Sequence, residues 1–257
     1  MLFRSIQLKN SSQISAMIDA GRITGEALLV ARENVREGMS TKELDTIIRN
    51  YIEKCGAKPS FLGYHGFPGS ACISINDEVI HGIPSEKRIL REGDIVKVDV
   101  GAFYRGFHGD SARTIAVGKV SDEANRLIEV TRNSFFAGVE AFKAGNRMGD
   151  IGSSIQTVIE TAGFSVVKRY IGHGIGREVH EAPDVPNFGT AGRGTRLCVG
   201  MALAIEPMVN IGRPDVYELA DGWTVKTSDK TLSAHYENTV VLTSDGVICT
   251  TLVDKDW

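Results

Sequence analysis

The sequence has few cysteines, no excess of basic charge and no long apolar run, and each shortage excludes a class of protein. The four cysteines (Cys55, Cys72, Cys198 and Cys249) form neither a CxxC pair nor a regular spacing, which is typical of free thiols in a reducing compartment. The net charge of -3 leaves no basic surplus for neutralising phosphates, so no specific nucleic acid ligand is expected. No run approaches the roughly 18 apolar residues that span a bilayer, and residues 1–10 lack the apolar core of a signal peptide. We therefore expect a cytoplasmic protein that has no membrane partner.

The 257 residues do contain an ordinary share of core-forming side chains, 42% hydrophobic against 24% charged. Apolar periodicity, capping residues and glycines predict helices over residues 12–37, 40–55, 121–143 and 149–161. Strand-rich blocks follow each pair of helices. This order indicates an α+β fold with two similar halves, and the absence of a linker-like segment favours a single domain over residues 1–257.

A β-hairpin is predicted from the stretch IVKVDVGAFY at residues 95–104 and the polar turn that follows it. Alternation places Val96, Val98 and Val100 on one face, and Lys97, Asp99 and Gly101 on the other. Asp99 and Asp110 would lie directly opposite each other if the turn centred between residues 104 and 105. A β-bulge could supply the one-residue adjustment that this pairing requires.

Four carboxylates interrupt stretches that otherwise resemble buried strands: Asp99, Asp110, Glu206 and Glu237. A lone acid in a strand most often lies on a solvated face. If all four converge, however, repulsion and desolvation would protonate several of them unless cations compensate. Two divalent ions would balance the four charges, and carboxylates with one imidazole suit Mn, Fe, Co or Zn.

The stretch YIGHGIGREVHEAP at residues 170–183 sets His173 and His180 among three glycines. Three interpretations are open: a phosphate-binding loop, a metal site or a structural turn. The phosphate interpretations are weak, because GHGIGR lacks the GxGxxG spacing and no Gly-Lys-Ser/Thr follows. HEAP does not match the HExxH motif of zinc peptidases either. The glycines would let the backbone approach a ligand closely.

Five motifs in order now carry a resemblance to a known family. They are SINDEVIHGIP (74–84), VKVDVGAFYRGFHGDSART (96–114), GHGIGREVHEAP (172–183), MALAIEPM (201–208) and SAHYENTVV (233–241). Together they resemble the type I methionine aminopeptidases of the short bacterial form, over essentially the whole chain. The resemblance implies the pita-bread fold, in which pseudo-twofold halves build an antiparallel curved sheet flanked by helix pairs.

The resemblance also implies the metal ligands and the catalytic residues. Asp99 would bind one metal ion, His173 and Glu206 the other, and Asp110 and Glu237 both. A hydroxide activated by the two ions would be the nucleophile, with Glu206 as its proton shuttle. His180 would hydrogen-bond the tetrahedral oxyanion, and His81 would contact the substrate near the leaving amide.

A methionine pocket beside the metals is implied as well, lined by Phe61, Tyr64, Phe67, Cys72 and Trp223. Aromatic walls suit the polarisable thioether of methionine. Two positions depart from the family pattern: Phe61 stands where a smaller residue, often cysteine, is common, and Val179 stands where a bulkier, often aromatic residue is usual. They bear on the shape of the pocket.

The implied activity is removal of the N-terminal methionine from nascent polypeptides whose second residue is small, by a monomer that contacts the ribosome transiently. Two alternatives remain. A prolidase or aminopeptidase P would share the fold, although such enzymes usually carry a sizeable N-terminal domain for which 257 residues leave no room. A non-catalytic binding module on the same fold would typically have lost metal ligands that this sequence retains.

Overall fold

The structure is a computed structural model that describes residues 5–254 and 257. Within that part of the chain the predicted helix pairs are present: α1 (Ser11–Asn34), α2 (Thr41–Lys54), α3 (Asp122–Ala141) and α4 (Met148–Thr161). Ser40 and Ser121 accept hydrogen bonds from the third backbone N–H of α2 and α3, which satisfies groups that a helix leaves unpaired at its start. The N-terminal boundaries follow from this local chemistry.

Two details of the helix prediction are wrong. Helix α1 ends at Asn34 and does not continue to residue 37, because the chain turns away to hydrogen-bond Leu90 through the backbone of Gly38 and Met39. The motif at Ser40 forms only half of a capping box. The Glu43 carboxylate accepts a hydrogen bond from Arg36 at 2.6 Å, so it does not reach back to the backbone of Ser40.

The strands are short apart from two that form the central hairpin. In chain order they are β1 (Lys58–Pro59), β2 (Ala71–Ile75), β3 (Glu78–Ile80), β4 (Ile95–Tyr104), β5 (Phe107–Ala116), β6 (Ser165–Val166), β7 (Gly172–Gly174), β8 (Glu181–Val185), β9 (Ala202–Ile205), β10 (Met208–Asn210), β11 (Val216–Glu218), β12 (Val225–Thr227), β13 (Ser233–His235), β14 (Asn238–Thr243) and β15 (Gly246–Cys249). Every strand pair in the described part of the chain is antiparallel.

The hairpin β4–β5 is regular and joins its strands through Arg105 and Gly106. Both residues have positive φ, 51° and 82°, which is the backbone of a type I′ turn. Asp110 therefore lies opposite Gly101, and Asp99 lies opposite Ala112. The expected direct pairing of the two aspartates through a bulge is wrong. They are diagonal neighbours on the same face, still close enough to share a ligand.

Each half of the molecule has its own hydrophobic core beneath a helix pair. In the first half, α1 and α2 cover the face of β2 and β4 that carries Val96, Val98 and Val100. In the second half, α3 and α4 cover β9, β10 and β14. The arrangement matches the predicted order of helices and strands, and it leaves the opposite face of β4, with Asp99, free to line a site.

The second half contains a five-stranded sheet in the order β15-β14-β9-β7-β8. It meets the first half where β5 runs beside β14. There the backbone N–H of Asp110 donates to the Thr239 hydroxyl, which donates back to the carbonyl of Asp110, both at 2.9 Å. This reciprocal pair fixes one half against the other at an acidic residue of the predicted site.

Of the helices in residues 5–254, none combines the length and the apolar character needed to cross a membrane.

Candidate functional site

The predicted ligands come from five separate segments of the chain. Asp99 lies on β4, Asp110 on β5 and His173 on β7. Glu206 stands between β9 and β10, and Glu237 between β13 and β14. The two glutamates were expected inside strands, but each lies between two strands. Glu237 nevertheless pairs with β5, because its backbone exchanges hydrogen bonds with that of Ala112.

The five side chains converge. Nε2 of His173 is 3.5 Å from Oε1 of Glu206 and 3.8 Å from Oδ2 of Asp110. Its Nδ1 is 2.9 Å from the carbonyl of Gly174. If Nδ1–H donates to that carbonyl, the lone pair of Nε2 is directed at the carboxylates, which is the usual second-shell support of a metal-binding histidine.

Burial dominates the electrostatics of this cluster. Desolvation, followed by repulsion from the neighbouring carboxylates, raises the pKa of Asp99, Glu206 and Glu237 well above the usual range. Burial also raises the pKa of Asp110, to about 7. Desolvation lowers the pKa of His173 to about 3. A cation bound among these side chains would favour the ionised form of the acids, and a neutral imidazole is the form that binds a metal.

A divalent cation fits the residues present. Buried oxygens of Asp99, Asp110 and Glu237 have no hydrogen-bond partner in the described part of the chain, although unpaired buried polar atoms are costly and rare. Asp110, His173 and Glu237 offer ligand atoms that lie within 4.8 Å of one another. A cation would satisfy these atoms and reverse the repulsion among the carboxylates.

Every other predicted site residue lines the same cavity as the carboxylates. The cavity has a volume of about 1090 Å³, large enough for a small molecule or a peptide terminus. It is lined by the five acidic and imidazole side chains named above and by Phe61, Tyr64, Phe67, Cys72, His81, His180 and Trp223. The structure thus brings together residues that lie as far apart in sequence as 61 and 237.

Two more histidines face the carboxylates across this cavity. The His180 ring lies 4.1 Å from that of His173, centre to centre, and its Nδ1 is 2.8 Å from the hydroxyl of Tyr64. His81 follows β3 directly and adopts a left-handed backbone with φ of 59°, a conformation uncommon for a residue other than glycine. Burial lowers its pKa to about 4, so the ring is neutral near neutral pH.

The apolar end of the cavity is a small cluster of its own. Phe61, Phe67, Cys72 and Val179 are buried there, with Tyr64, Ile83 and Trp223 packed against them. All five residues expected to line a methionine pocket belong to this cluster. Val179, the second departure from the family pattern, is packed in the same cluster as Phe61, so a larger residue and a smaller one occur together in one cluster.

Three supporting residues were missed by the sequence analysis. The Asp45 carboxylate accepts the N–H groups of Ser70 and Ala71 at 2.7 and 3.0 Å, which anchors the segment that leads into Cys72. Arg113 donates to the carbonyl of Glu237 at 2.7 Å. Thr239 holds the backbone of Asp110, as described above. Their contacts span up to 129 positions, and nothing local in the sequence predicts them.

His235 was also missed. It is buried, and its Nε2 lies 3.7 Å from Oε2 of Glu237. The same criterion that selected the carboxylates could have found it, since it is a polar residue inside the strand-like stretch AHYENTVV.

Comparison with known proteins agrees with this geometry. The model of metallopeptidase family M24 matches residues 15–244. The chain is 53% identical over 248 residues to a methionine aminopeptidase of Clostridium perfringens, covering 96% of this chain and 99% of that protein. The crystal structure of a methionine aminopeptidase from Rickettsia prowazekii matches with a TM-score of 0.95 at 40% identity, covering 96% of this chain and 100% of that one.

A prolidase from Pyrococcus furiosus is a more distant structural relative. It matches with a TM-score of 0.77 at 26% identity, and the match covers 96% of this chain but 66% of the prolidase. The shared portion is the pita-bread fold, so this comparison supports the predicted α+β architecture.

This chain belongs to metallopeptidase family M24. The resemblance to methionine aminopeptidases that the five motifs carry is thereby confirmed, as is the fold it implies. Membership in a family of metal-dependent hydrolases does not favour the alternative of a non-catalytic module.

Proposed function

We propose that this chain is a methionine aminopeptidase, which hydrolyses the peptide bond after an N-terminal methionine when the second residue is small. The observation that carries the proposal is one cavity in which buried carboxylates with unpaired oxygens adjoin an aromatic apolar pocket. The carboxylates suit divalent cations, and the aromatic pocket suits an unbranched thioether side chain. Since both halves of the molecule supply residues to this cavity, residues 1–257 act as one catalytic domain.

Two divalent ions would be held by the five converging side chains. Asp99 would serve one ion, His173 and Glu206 the other, while Asp110 and Glu237 would be shared. When bound, the ions lower the pKa of water and polarise the scissile carbonyl. Mn, Fe, Co and Zn are all compatible with carboxylates and imidazole, and availability decides among them.

Glu206 is the proposed proton shuttle. Its side chain lies next to His173 within the cavity, where burial raises the pKa of its carboxyl group, and a carboxyl group so placed can both accept and release a proton. It takes a proton from the attacking water as the new C–O bond forms. It then delivers the proton to the amide nitrogen as the C–N bond breaks, so the products are free methionine and a shortened peptide with a neutral amine.

His180 and His81 position the peptide. If the Tyr64 hydroxyl donates to Nδ1 of His180, the proton of the neutral imidazole resides on Nε2, which then donates to the carbonyl oxygen as negative charge develops there. His81, across the cavity, contacts the substrate near the leaving amide. Both act as hydrogen-bonding groups rather than as metal ligands.

The substrates are the N-terminal methionines of nascent polypeptides, and we place the enzyme in the cytoplasm as a monomer with a transient ribosome contact. The location and the ribosome contact follow from the proposed activity, because new N-termini emerge at the ribosome.

The proposal is tested by stripping the protein of metal, restoring single ions and assaying peptides. Met-Ala-Ser should be cleaved after metal is restored, and Met-Leu-Ser should be cleaved far more slowly because a large second side chain meets the cavity wall. Ala-Pro-Ser serves as the control for a prolidase-like activity and should remain intact. If Met-Ala-Ser is not cleaved while metal analysis shows occupied sites, the proposal fails. Faster cleavage of the X-Pro peptide would favour the prolidase alternative.

A further inference from the structure

His235 ends strand β13, two residues before Glu237, and it is absent from the ligand set that the family resemblance implies. Its backbone is fixed by Thr114, whose hydroxyl accepts from the His235 N–H and donates to the His235 carbonyl, both at 2.9 Å. The residue is 1% exposed. The ring is therefore buried, and its Nε2 lies beside the carboxylates of Glu206 and Glu237.

The ring lies within reach of the same cation site. Its Nε2 is 3.7 Å from Oε2 of Glu237 and 3.9 Å from Oε2 of Glu206. Asp99, His235 and Glu237 each offer one ligand atom, and these atoms lie within 4.8 Å of one another. Asp110, His173 and Glu237 form a second such trio. Glu237 is common to both, so the trios define two adjacent cation positions.

Hydrogen bonding does not explain where the ring lies. Both ring nitrogens are buried and have no hydrogen-bond partner in the described part of the chain. The separations from the two glutamates exceed the 2.7–3.2 Å of N–H···O hydrogen bonds. A buried polar ring without partners is costly unless something else satisfies it.

We propose that His235 is a metal ligand of this site, binding the cation that Asp99 and Glu237 hold. Each of the two cation positions then has its own imidazole, His173 at one and His235 at the other. The inference rests on the proposed dinuclear site but goes beyond its ligand set. The imidazole of His235 would give the cation position beside Asp99 a nitrogen ligand. Such a position favours Fe, Co or Zn over Mg and Ca, which prefer oxygen ligands.

The first test counts imidazole ligands in the wild-type enzyme loaded with two equivalents of Co²⁺. Each coordinated histidine gives one paramagnetically shifted ring N–H signal in the proton NMR spectrum, and labelling histidine with ¹⁵N identifies these signals. We expect two, from His173 and His235. A single signal would overturn the inference, and this measurement needs no variant that might fail to fold.

The second test compares His235→Gln with His65→Gln. His65 is an exposed histidine at the rim of the cavity, which makes it a matched control. Calorimetric titration with Co²⁺ should show one of two binding steps weakened by more than about 100-fold in His235→Gln, since loss of an outer-shell partner alone costs about 10–100-fold. His65→Gln should keep both steps and both shifted signals.

The NMR and calorimetric measurements test the role of His235 separately from the proposed function, because neither of them uses a peptide substrate. If His235→Gln binds both ions as tightly as the wild type, His235 is not a ligand, whether or not the enzyme releases methionine. If the wild type shows two shifted signals yet leaves Met-Ala-Ser intact, the assignment of His235 stands and the proposed activity fails.

Discussion

The hydroxyl of Tyr64 lies 2.8 Å from Nδ1 of His180, and the two rings stack with their centres 5.4 Å apart. Tyr64 belongs to the short 3₁₀ turn Tyr64–Gly66 in the segment that walls the apolar pocket. The residue that fixes the orientation of the proposed oxyanion donor is therefore also part of the side-chain pocket. In the proposed mechanism, this contact would couple binding of the methionine side chain to positioning of the reacting carbonyl.

Tyr64→Phe removes the hydrogen bond and keeps the stacked ring. We expect kcat for Met-Ala-Ser to fall about tenfold, which corresponds to roughly 1.4 kcal/mol, because a neutral hydrogen bond contributes about 0.5–1.5 kcal/mol. In a His180→Ala background the same change should have little further effect, since the imidazole that the Tyr64 hydroxyl contacts is then absent. Additive losses in the double variant would show that Tyr64 acts independently of His180.

Glu206→Gln keeps the size of the side chain and removes its capacity to carry a proton. Turnover of Met-Ala-Ser should fall by at least about 10²–10⁴-fold, the usual contribution of a positioned general acid–base group. Because Glu206 is also a proposed ligand, metal content has to be measured on the same sample. Near-normal turnover at full metal occupancy would remove Glu206 from the shuttle role.

The metal-stripped protein should lose stability as the pH rises from about 6.5 to about 8. Burial raises the pKa of Asp110 to about 7 and that of Glu206 and Glu237 above the usual range. The native state then holds protons that the unfolded chain, with carboxyl pKa values near 4, has already released. Stability is thus greatest on the acidic side and is lost as the pH rises through the native pKa.

Below about pH 6.5 the histidines oppose this trend. Burial lowers the pKa of His173 and His235 to about 3, so only the unfolded chain takes up their protons. This opposing contribution fades above about pH 6.5, so thermal unfolding toward pH 8 reports mainly the carboxylates, at about 1.4 kcal/mol per pH unit for each extra proton held. Metal-loaded protein should lack this slope and Asp110→Asn should reduce it; a rise in the stability of stripped protein across the window would contradict the prediction.

Phe61 and Val179 should be interdependent. Val179 is 2% exposed, so Val179→Phe inserts a ring into a filled cluster and should raise the KM for Met-Ala-Ser, at a cost of about 1–3 kcal/mol. Phe61→Cys makes room in the same cluster. The double variant should recover most of the lost affinity, with a coupling of about 0.5–3 kcal/mol between neighbouring sites. Strictly additive effects on KM would mean that the two side chains line separate parts of the pocket.

Sequence reasoning succeeded where the controlling chemistry is local. The capping serines Ser40 and Ser121 set the starts of two helices, and acids in strand-like stretches stood out because burial disfavours them. The turn of the β4–β5 hairpin lies one residue further along the chain than direct pairing of the two aspartates requires, which shifts the pairing of Asp110 by two residues, from Asp99 to Gly101. The cause is the positive φ of Arg105, which an arginine does not indicate. Glycine or asparagine at that position would have indicated the type I′ turn.

The residues that support the site could not be predicted from the sequence, for a different reason. Asp45, Arg113 and Thr239 act through contacts with backbone groups that only the tertiary fold brings near. Their residue types are ordinary for a helix or a strand, so no pattern distinguishes them. His235 differs, because it lies two residues from an expected ligand, and it was passed over because, unlike His173 and His180, it has no neighbouring glycines.

The reciprocal hydrogen bonds between Asp110 and Thr239 have a consequence for biosynthesis. Each half of the molecule has its own core, so the first half can begin to fold while the ribosome is still adding residues. The site around Asp99 and Asp110 nevertheless remains incomplete until Glu237 and Thr239 have been synthesised. The carboxylate cluster can therefore be completed only after the chain has been synthesised past residue 239.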